Sequence, residues 1–126
     1  MIGRLARHAE GTTAVEFALT APLFIILVFS IGQFGLFLWT QLGLQHAVDL
    51  GARCASLMQT TCPNTGKTQA YAVSQAYGLN IVPSVFSVNK DACGENVTAA
   101  YTYMIAIPFV PSVPVNIAAT SCFPTY

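Results

Sequence analysis

Few side chains in this sequence are suited to chemistry. Five acids, five bases, two histidines and four cysteines are spread over 126 residues. His46 has no second ligand at a useful spacing and no Cys-x-x-Cys pair occurs, so a zinc site is poorly supported. Asp91 and Glu95 are close neighbours, but they flank Cys93 and read as a solvated polar turn. Ser and Thr are plentiful without a nucleophile elbow, and there is no Gly-rich phosphate loop. No enzyme activity, cofactor, metal or small-molecule substrate is expected. Formal net charge is zero, with Arg53, Lys67 and Lys90 scattered singly, which leaves no basic footprint for nucleic acid. Two features remain, and in both the chemistry would be done to the chain. One is the set of four thiols. The other is a lone carboxylate, Glu16, in the stretch GTTAVEFALTAPLF that begins at Gly11.

The element that must position Glu16 is unusual. Charged residues make up only 8% of the chain, against about 25% in an ordinary soluble domain. From Phe17 to Val48 there is no Asp, Glu, Lys or Arg. The run from Phe17 to Trp39 is roughly 23 residues and about 34 Å as a helix, enough to cross a ~30 Å hydrocarbon core. Trp39 at the far end suits the headgroup layer. A buried core helix is the rival, but the rest of so short a chain could not wrap a helix that is apolar all round. Arg4 and Arg7, with His8, precede the span and put the N-terminus on the cytoplasmic side, with Gln41 onward outside. The expected organisation is a leader over 1–11, a transmembrane half-helix over 12–40, a stem helix over 41–58 and a small outer domain over 59–126.

A basic leader before an apolar run also describes a secretory signal peptide, but no convincing small-x-small site follows the run. The site that stands out precedes it. MIGRLARHAEG followed by TTAVEF matches the pattern read by prepilin peptidases: Gly11 closes the leader, Thr12 becomes the first residue, and Glu16 is the fifth. Cleavage would free an α-amino group on Thr12, cationic at neutral pH, one helical turn from Glu16. An ionised group at mid-bilayer costs about 2.5–3.5 kcal/mol on insertion scales. Opposite unit charges ~4 Å apart attract by roughly 4 kcal/mol at an effective dielectric of about 20. The amine could be the chain's own or a neighbour's, and in the second case Glu16 would set register between subunits. A Glu at the edge of a membrane helix is often only an interfacial residue. The combination of basic leader, Gly11, Glu16 and an immediate apolar helix favours processing.

The segment GTTAVEFALTAPLFIILVFSIGQFGLFLWTQLGLQHAVDLGARCAS resembles the N-terminal region of TadE-like pseudopilins of the tight-adherence (Tad, or Flp) pilus system. The matching elements are G-x-x-AVEFAL-x-x-P, the polar break near Gln33 and the later GAR. The likeness covers the first half of the chain; the second half matches only in general plan. It implies a minor pilin of the bacterial inner membrane with a periplasmic C-terminal domain. It also implies processing at Gly11 by the prepilin peptidase, and other Tad pilins and minor pseudopilins as partners in pilus assembly and cell adhesion. Phe17 departs from the Tyr usual after Glu in the small major pilins, which also lack a sizeable outer domain. A major filament subunit is therefore poorly supported. The alternative of another class is a single-pass anchored binding module that never leaves the membrane.

The expected fold is α+β and pilin-like: a long N-terminal helix packed on a small three-stranded antiparallel sheet, with one short extra helix. Pro22 lies inside the span, either as a kink that shapes packing or as an ordinary membrane-helix proline. Gly32 and Gly35 are three apart and make no GxxxG motif. Leu44, Ala47, Val48, Gly51 and Ala55 form one apolar stripe, while Asp49 and Arg53 are spaced to pair on another side. The stem should end near Met58. KTQAYAVSQAYGL reads as a short helix stopped by Gly78. IVPSVFSV reads as a strand interrupted by Pro83. NVTAAYTYMIAI alternates, with Val97, Ala99, Tyr101, Tyr103, Ile105 and Ile107 on one face, and VNIAATSCF is a last strand. Four cysteines in a domain outside the cytoplasm suggest two disulfides. Of three pairings, Cys54–Cys62 and Cys93–Cys122 are preferred, worth roughly 2.5 and 3.6 kcal/mol on a loop-entropy model. The Asn96-Val97-Thr98 sequon reads as chance.

Overall fold

A computed structural model describes the backbone of residues 2–126 and the side chains of 11–126. The side chains of Arg4, Arg7 and His8, on which the orientation rests, lie outside those described. The first element, α1, is one helix over Ile2–Leu57, about 84 Å long at ~1.5 Å per residue. Its front part is exposed all round. Every residue from Gly11 to Thr20 is exposed, and Thr40 is the first buried one. Neighbours on different faces, such as Phe17 at 71% and Leu23 at 69%, are equally bare. Each of the three hydroxyls in the charge-free run bonds back to its own helix. Thr20 donates to the Glu16 carbonyl at 3.0 Å, Ser30 to that of Ile26 at 2.7 Å and Thr40 to that of Leu36 at 2.9 Å. This leaves no hydroxyl of the run needing water. The helix is apolar and long enough for a single-pass membrane anchor.

Beyond Thr40 one face of α1 is covered. Leu44, Ala47, Val48, Gly51, Ala52 and Ala55 are buried, the stripe expected at helical spacing with Ala52 added. The helix ends where the Met58 amide bonds to the Cys54 carbonyl at 2.9 Å and the chain turns back. Cys62 then meets Cys54 in a disulfide with Cα atoms 5.7 Å apart. The second helix, α2, runs Thr65–Ser74, and its N-cap Asn64 accepts the Lys67 amide at 3.0 Å. It starts earlier than the sequence suggested and stops four residues before Gly78. Gln75 donates to the carbonyls of Tyr71 and Ala72, and Tyr77 (φ 52°) and Gly78 (φ 74°) turn the chain into the left-handed region. The stop is thus spread over a turn instead of sitting at the glycine.

The expected strand around Pro83 is also displaced. Pro83–Val85 form one 3-10 turn, because proline fixes its φ and has no amide for a ladder. The strands are β1 (Phe86–Asp91), β2 (Gly94–Ile105) and β3 (Val113–Phe123), antiparallel in the order β1-β2-β3. β2 pairs Phe86 with Ala99 on one side and Ala99 with Ala119 on the other. Val97, Ala99, Ile117 and Ala119 turn inward with Phe86, and they meet Leu44, Ala47 and Val48 of the stem. Leu44, Val48, Phe86 and Val97 are essentially fully buried, each worth about 1.5–3 kcal/mol. Ile107 falls beyond the end of β2. The architecture is α+β, a long helix carrying a three-stranded sheet and one short helix.

The second disulfide joins Cys93, in the two-residue β1–β2 turn, to Cys122 in β3, with Cα atoms 6.3 Å apart. Gly94 follows with φ 126°, and a Cβ there would lie 2.2 Å from the Phe123 carbonyl oxygen. Asp49 and Arg53 form no ion pair. Asp49 accepts from Gln45 at 3.4 Å, and the Arg53 guanidinium sits 5.5 Å from the Phe123 ring centroid. The arrival of β3 over the helix gives Arg53 an aromatic face in place of a carboxylate.

Candidate functional site

The residues singled out at the N-terminal side of the span share one stretch of unbroken helix. Gly11, Thr12, Glu16 and Phe17 are all exposed. Thr12 and Glu16 are four apart and so lie one turn from each other on one face. Nothing lies within 4 Å of where a Cβ on Gly11 would point, so packing places no demand for glycine at that position. Gly32 and Gly35 are equally open, and what distinguishes Gly11 is the carboxylate five residues on. The Thr20 hydroxyl donates to the carbonyls of Glu16 and, at 3.3 Å, Phe17. Pro22 removes the amide that would reach the Ala18 carbonyl, yet α1 continues through it. The foot of the helix thus presents Glu16 on an exposed face one turn from Thr12, with apolar side chains around it.

A second group, which the sequence disclosed only as a polar break near Gln33, holds the outer domain to the helix. The Tyr103 hydroxyl lies 3.1 Å from Gln33 Oε1, and the Tyr103 ring meets Phe37 edge-on at 5.9 Å. Gln41 and Gln45 donate to the carbonyls of Ala118 and Thr120, each at 3.4 Å. Those carbonyls belong to an edge strand, which would otherwise offer an open row of acceptors. At Gly43 a Cβ would lie 2.9 Å from Leu79 Cδ1 and 3.2 Å from the Ala76 carbonyl, so the chain after α2 packs closely on the bare backbone there and any side chain would make Leu79 turn aside. Gln41 and Gln45 are one turn apart, and Gln33 sits two turns before Gln41. The sheet's grip therefore reaches Gln33 and Phe37, inside the 12–40 segment.

The outer domain carries a polar cleft, lined by Asn64, Thr65, Thr68, Asn89, Lys90 and Glu95 among others. Lys90 Nζ is 3.1 Å from Glu95 Oε1, the two facing each other across β1 and β2. Asp91 accepts a hydrogen bond from Asn96 Nδ2, so Asp91 and Glu95 have separate partners and form no acid pair. His46 is stacked on Tyr77 at 4.5 Å, and Trp39 lies 5.7 Å from the same ring. Among the described residues no group of three or more His, Cys, Asp or Glu could hold a metal ion.

The family model for TadE-like protein matches residues 11–53. The match begins at Gly11, takes in Glu16, Pro22, Gln33 and the stem, and stops before Cys54, so no strand lies within it. It supports a TadE-like protein. No curated protein matches the chain, and no solved structure does.

Proposed function

We propose that this TadE-like chain, whose family points to a Tad pilus-related and structural role, works as a minor pseudopilin in assembly of a Tad-type (type IVb-like) pilus. On this reading a prepilin peptidase at the inner membrane removes 1–11. Residues 12–40 span the bilayer with the N-terminus in the cytoplasm. The stem 41–58 and the domain 59–126 stand in the periplasm, facing other Tad pilins. Glu16, flanked by Phe17, meets a terminal amine of its own chain or of a neighbour and sets the helix in register. Pro22 bends the rod where it packs in a bundle.

One observation carries this reading: the Gly11/Glu16 pair stands at the head of the stretch of α1 whose apolar side chains face outward on all sides, inside the segment that the family model matches. A helix of that kind needs lipid or other helices as its cover. Packing does not ask for glycine at position 11, so a requirement for it would come from a peptidase. The test is intact mass or N-terminal sequencing of the protein from its native host. Thr12 should be first in the wild type, and Gly11→Leu should abolish both the cut and piliation. A mature chain that keeps its leader would favour the second reading, a single-pass anchored binding module. The polar cleft around Lys90 and Glu95 is the observation on that side.

A further inference from the structure

The β2–β3 connection is an exposed apolar surface of the outer domain. It runs Ala106–Ser112 between the paired Ile105 and Val113, and it points back along α1. A shallow recess between connection and helix is lined by Phe29, Gln33, Ile107, Pro108 and Val110 among others. The tip thus lies level with Phe29 to Gln33, beside helix residues that are themselves apolar and exposed. Phe109 is 83% exposed at its apex, and Met104, Val110 and Val113 are about half exposed around it. No Asp, Glu, Lys or Arg occurs after Glu95. Between Met104 and Val115 the one polar side chain is Ser112.

We propose that this hairpin tip, centred on Phe109, inserts into the interfacial layer of the leaflet from which α1 emerges, so that the chain touches lipid at two points. The inference rests on the reading that α1 spans the bilayer. Depth follows from helix rise. Within the 12–40 segment a ~30 Å hydrocarbon core takes about 20 residues at ~1.5 Å each, so the hydrocarbon-covered stretch that begins after Glu16 reaches its far boundary near Leu36, with Trp39 in the headgroup layer beyond it. A tip level with Phe29 to Gln33 lies roughly 5–10 Å inside that boundary, the depth at which interfacial apolar elements rest.

The backbone agrees with that environment. Pro108, Pro111 and Pro114 carry no amide, and the Val110 amide bonds to the Ile107 carbonyl at 3.2 Å. Pro108, Pro111 and the Val110 bond thus remove three of the seven possible amide donors of the connection. Phe109 holds φ 66°, a left-handed conformation that costs a bulky residue of order 1–3 kcal/mol and that glycine would adopt freely. Contacts within the domain do not repay that strain, because the ring is bare. Burial in lipid would. A neighbouring copy could also cover the tip, but one chain in a bilayer already meets acyl chains at this level without a partner.

Depth-dependent fluorescence quenching tests this in the full chain, reconstituted at one copy per nanodisc in phosphatidylcholine brominated at shallow or deep acyl positions. Trp39→Phe removes the native indole. In that background Phe109→Trp reports the tip, and Val110→Trp, outside the left-handed region, repeats the reading should indole at 109 disturb the turn. Phe24→Trp reports mid-span. The expected result is loss of emission at 109 and 110 with shallow bromines, and at 24 with deep ones. Quenching at 24 without quenching at 109 and 110 overturns the inference and leaves the spanning helix standing. Absence of quenching at 24 overturns the span itself and the inference with it. Shielding of 109 that needs two copies per disc assigns the tip to an interface between copies, which also overturns it.

Discussion

Glu16 is the residue on which the assembly role turns, and its surroundings make its substitution informative. The side chain is exposed on a regular helix, so Glu16→Ala removes a carboxylate without opening a cavity, and alanine is the better helix former. Helix formation and cleavage after Gly11 should therefore survive. Incorporation should fall, because a desolvated terminal amine would lose its counter-charge. Pilus counts by electron microscopy beside the processed mass would separate the two steps, and normal piliation in that strain removes the alignment role. The expectation at Gly11 and Glu16 rests on a local signal: a spacing of five residues across a sharp drop in charge. The contacts of Gln33, Gln41 and Gln45 were not legible in sequence. Their partners are Tyr103 and the carbonyls of Ala118 and Thr120, some seventy residues away in sequence, and nothing near a glutamine reveals a distant acceptor.

At the scale of elements, long periodic segments were readable and their ends were not. The stem stripe and the alternation in β2 each repeat often enough to outweigh local noise. Boundaries depend on single contacts. α2 ends at Ser74, and the turn that follows holds Tyr77 in the left-handed region, stacked on His46. Asp49 and Arg53 part because Phe123 reaches the guanidinium first. The β1–β2 hairpin shows how much one residue can decide. Gly94 combines φ 126° with a Cβ position 2.2 Å from a backbone oxygen and 2.7 Å from Pro124 Cα. Neither obstacle is a flexible side chain. Gly94→Ala should cost more than about 2 kcal/mol, by strain and by displacement of β3. The measurement is the denaturant midpoint of the full chain in detergent, and an unchanged midpoint would mean that the hairpin relaxes freely.

For the whole molecule, the two ends of the sheet are built differently. Along β2, Glu95 shares a cleft with Ala55 near the C-terminal end of α1, and Tyr103 lies beside Gln33. Both disulfides lie at the end remote from the apolar span, and the opposite end is the free β2–β3 tip. The staples differ in access and in loop size. Cys54 and Cys62 are buried, whereas Cys93 is exposed and Cys122 half-buried. Reduction needs a thiolate to reach a sulfur atom, so mild reductant should open Cys93–Cys122 first and leave Cys54–Cys62 closed until the domain unfolds. The separations are 29 and 8 residues, and the loop-entropy model assigns the longer one roughly 3.6 kcal/mol. The singly reduced species should be less stable by about that amount. Timed alkylation with mass mapping gives the order of opening, and a denaturation curve of the trapped species gives the loss. If Cys54–Cys62 opens first, the packing of the stem against its turn is looser than the buried sulfurs indicate. A loss well under 1 kcal/mol would mean instead that β3 is held by the Ala99–Ala119 pairing and the helix contacts alone, with the covalent tie adding little.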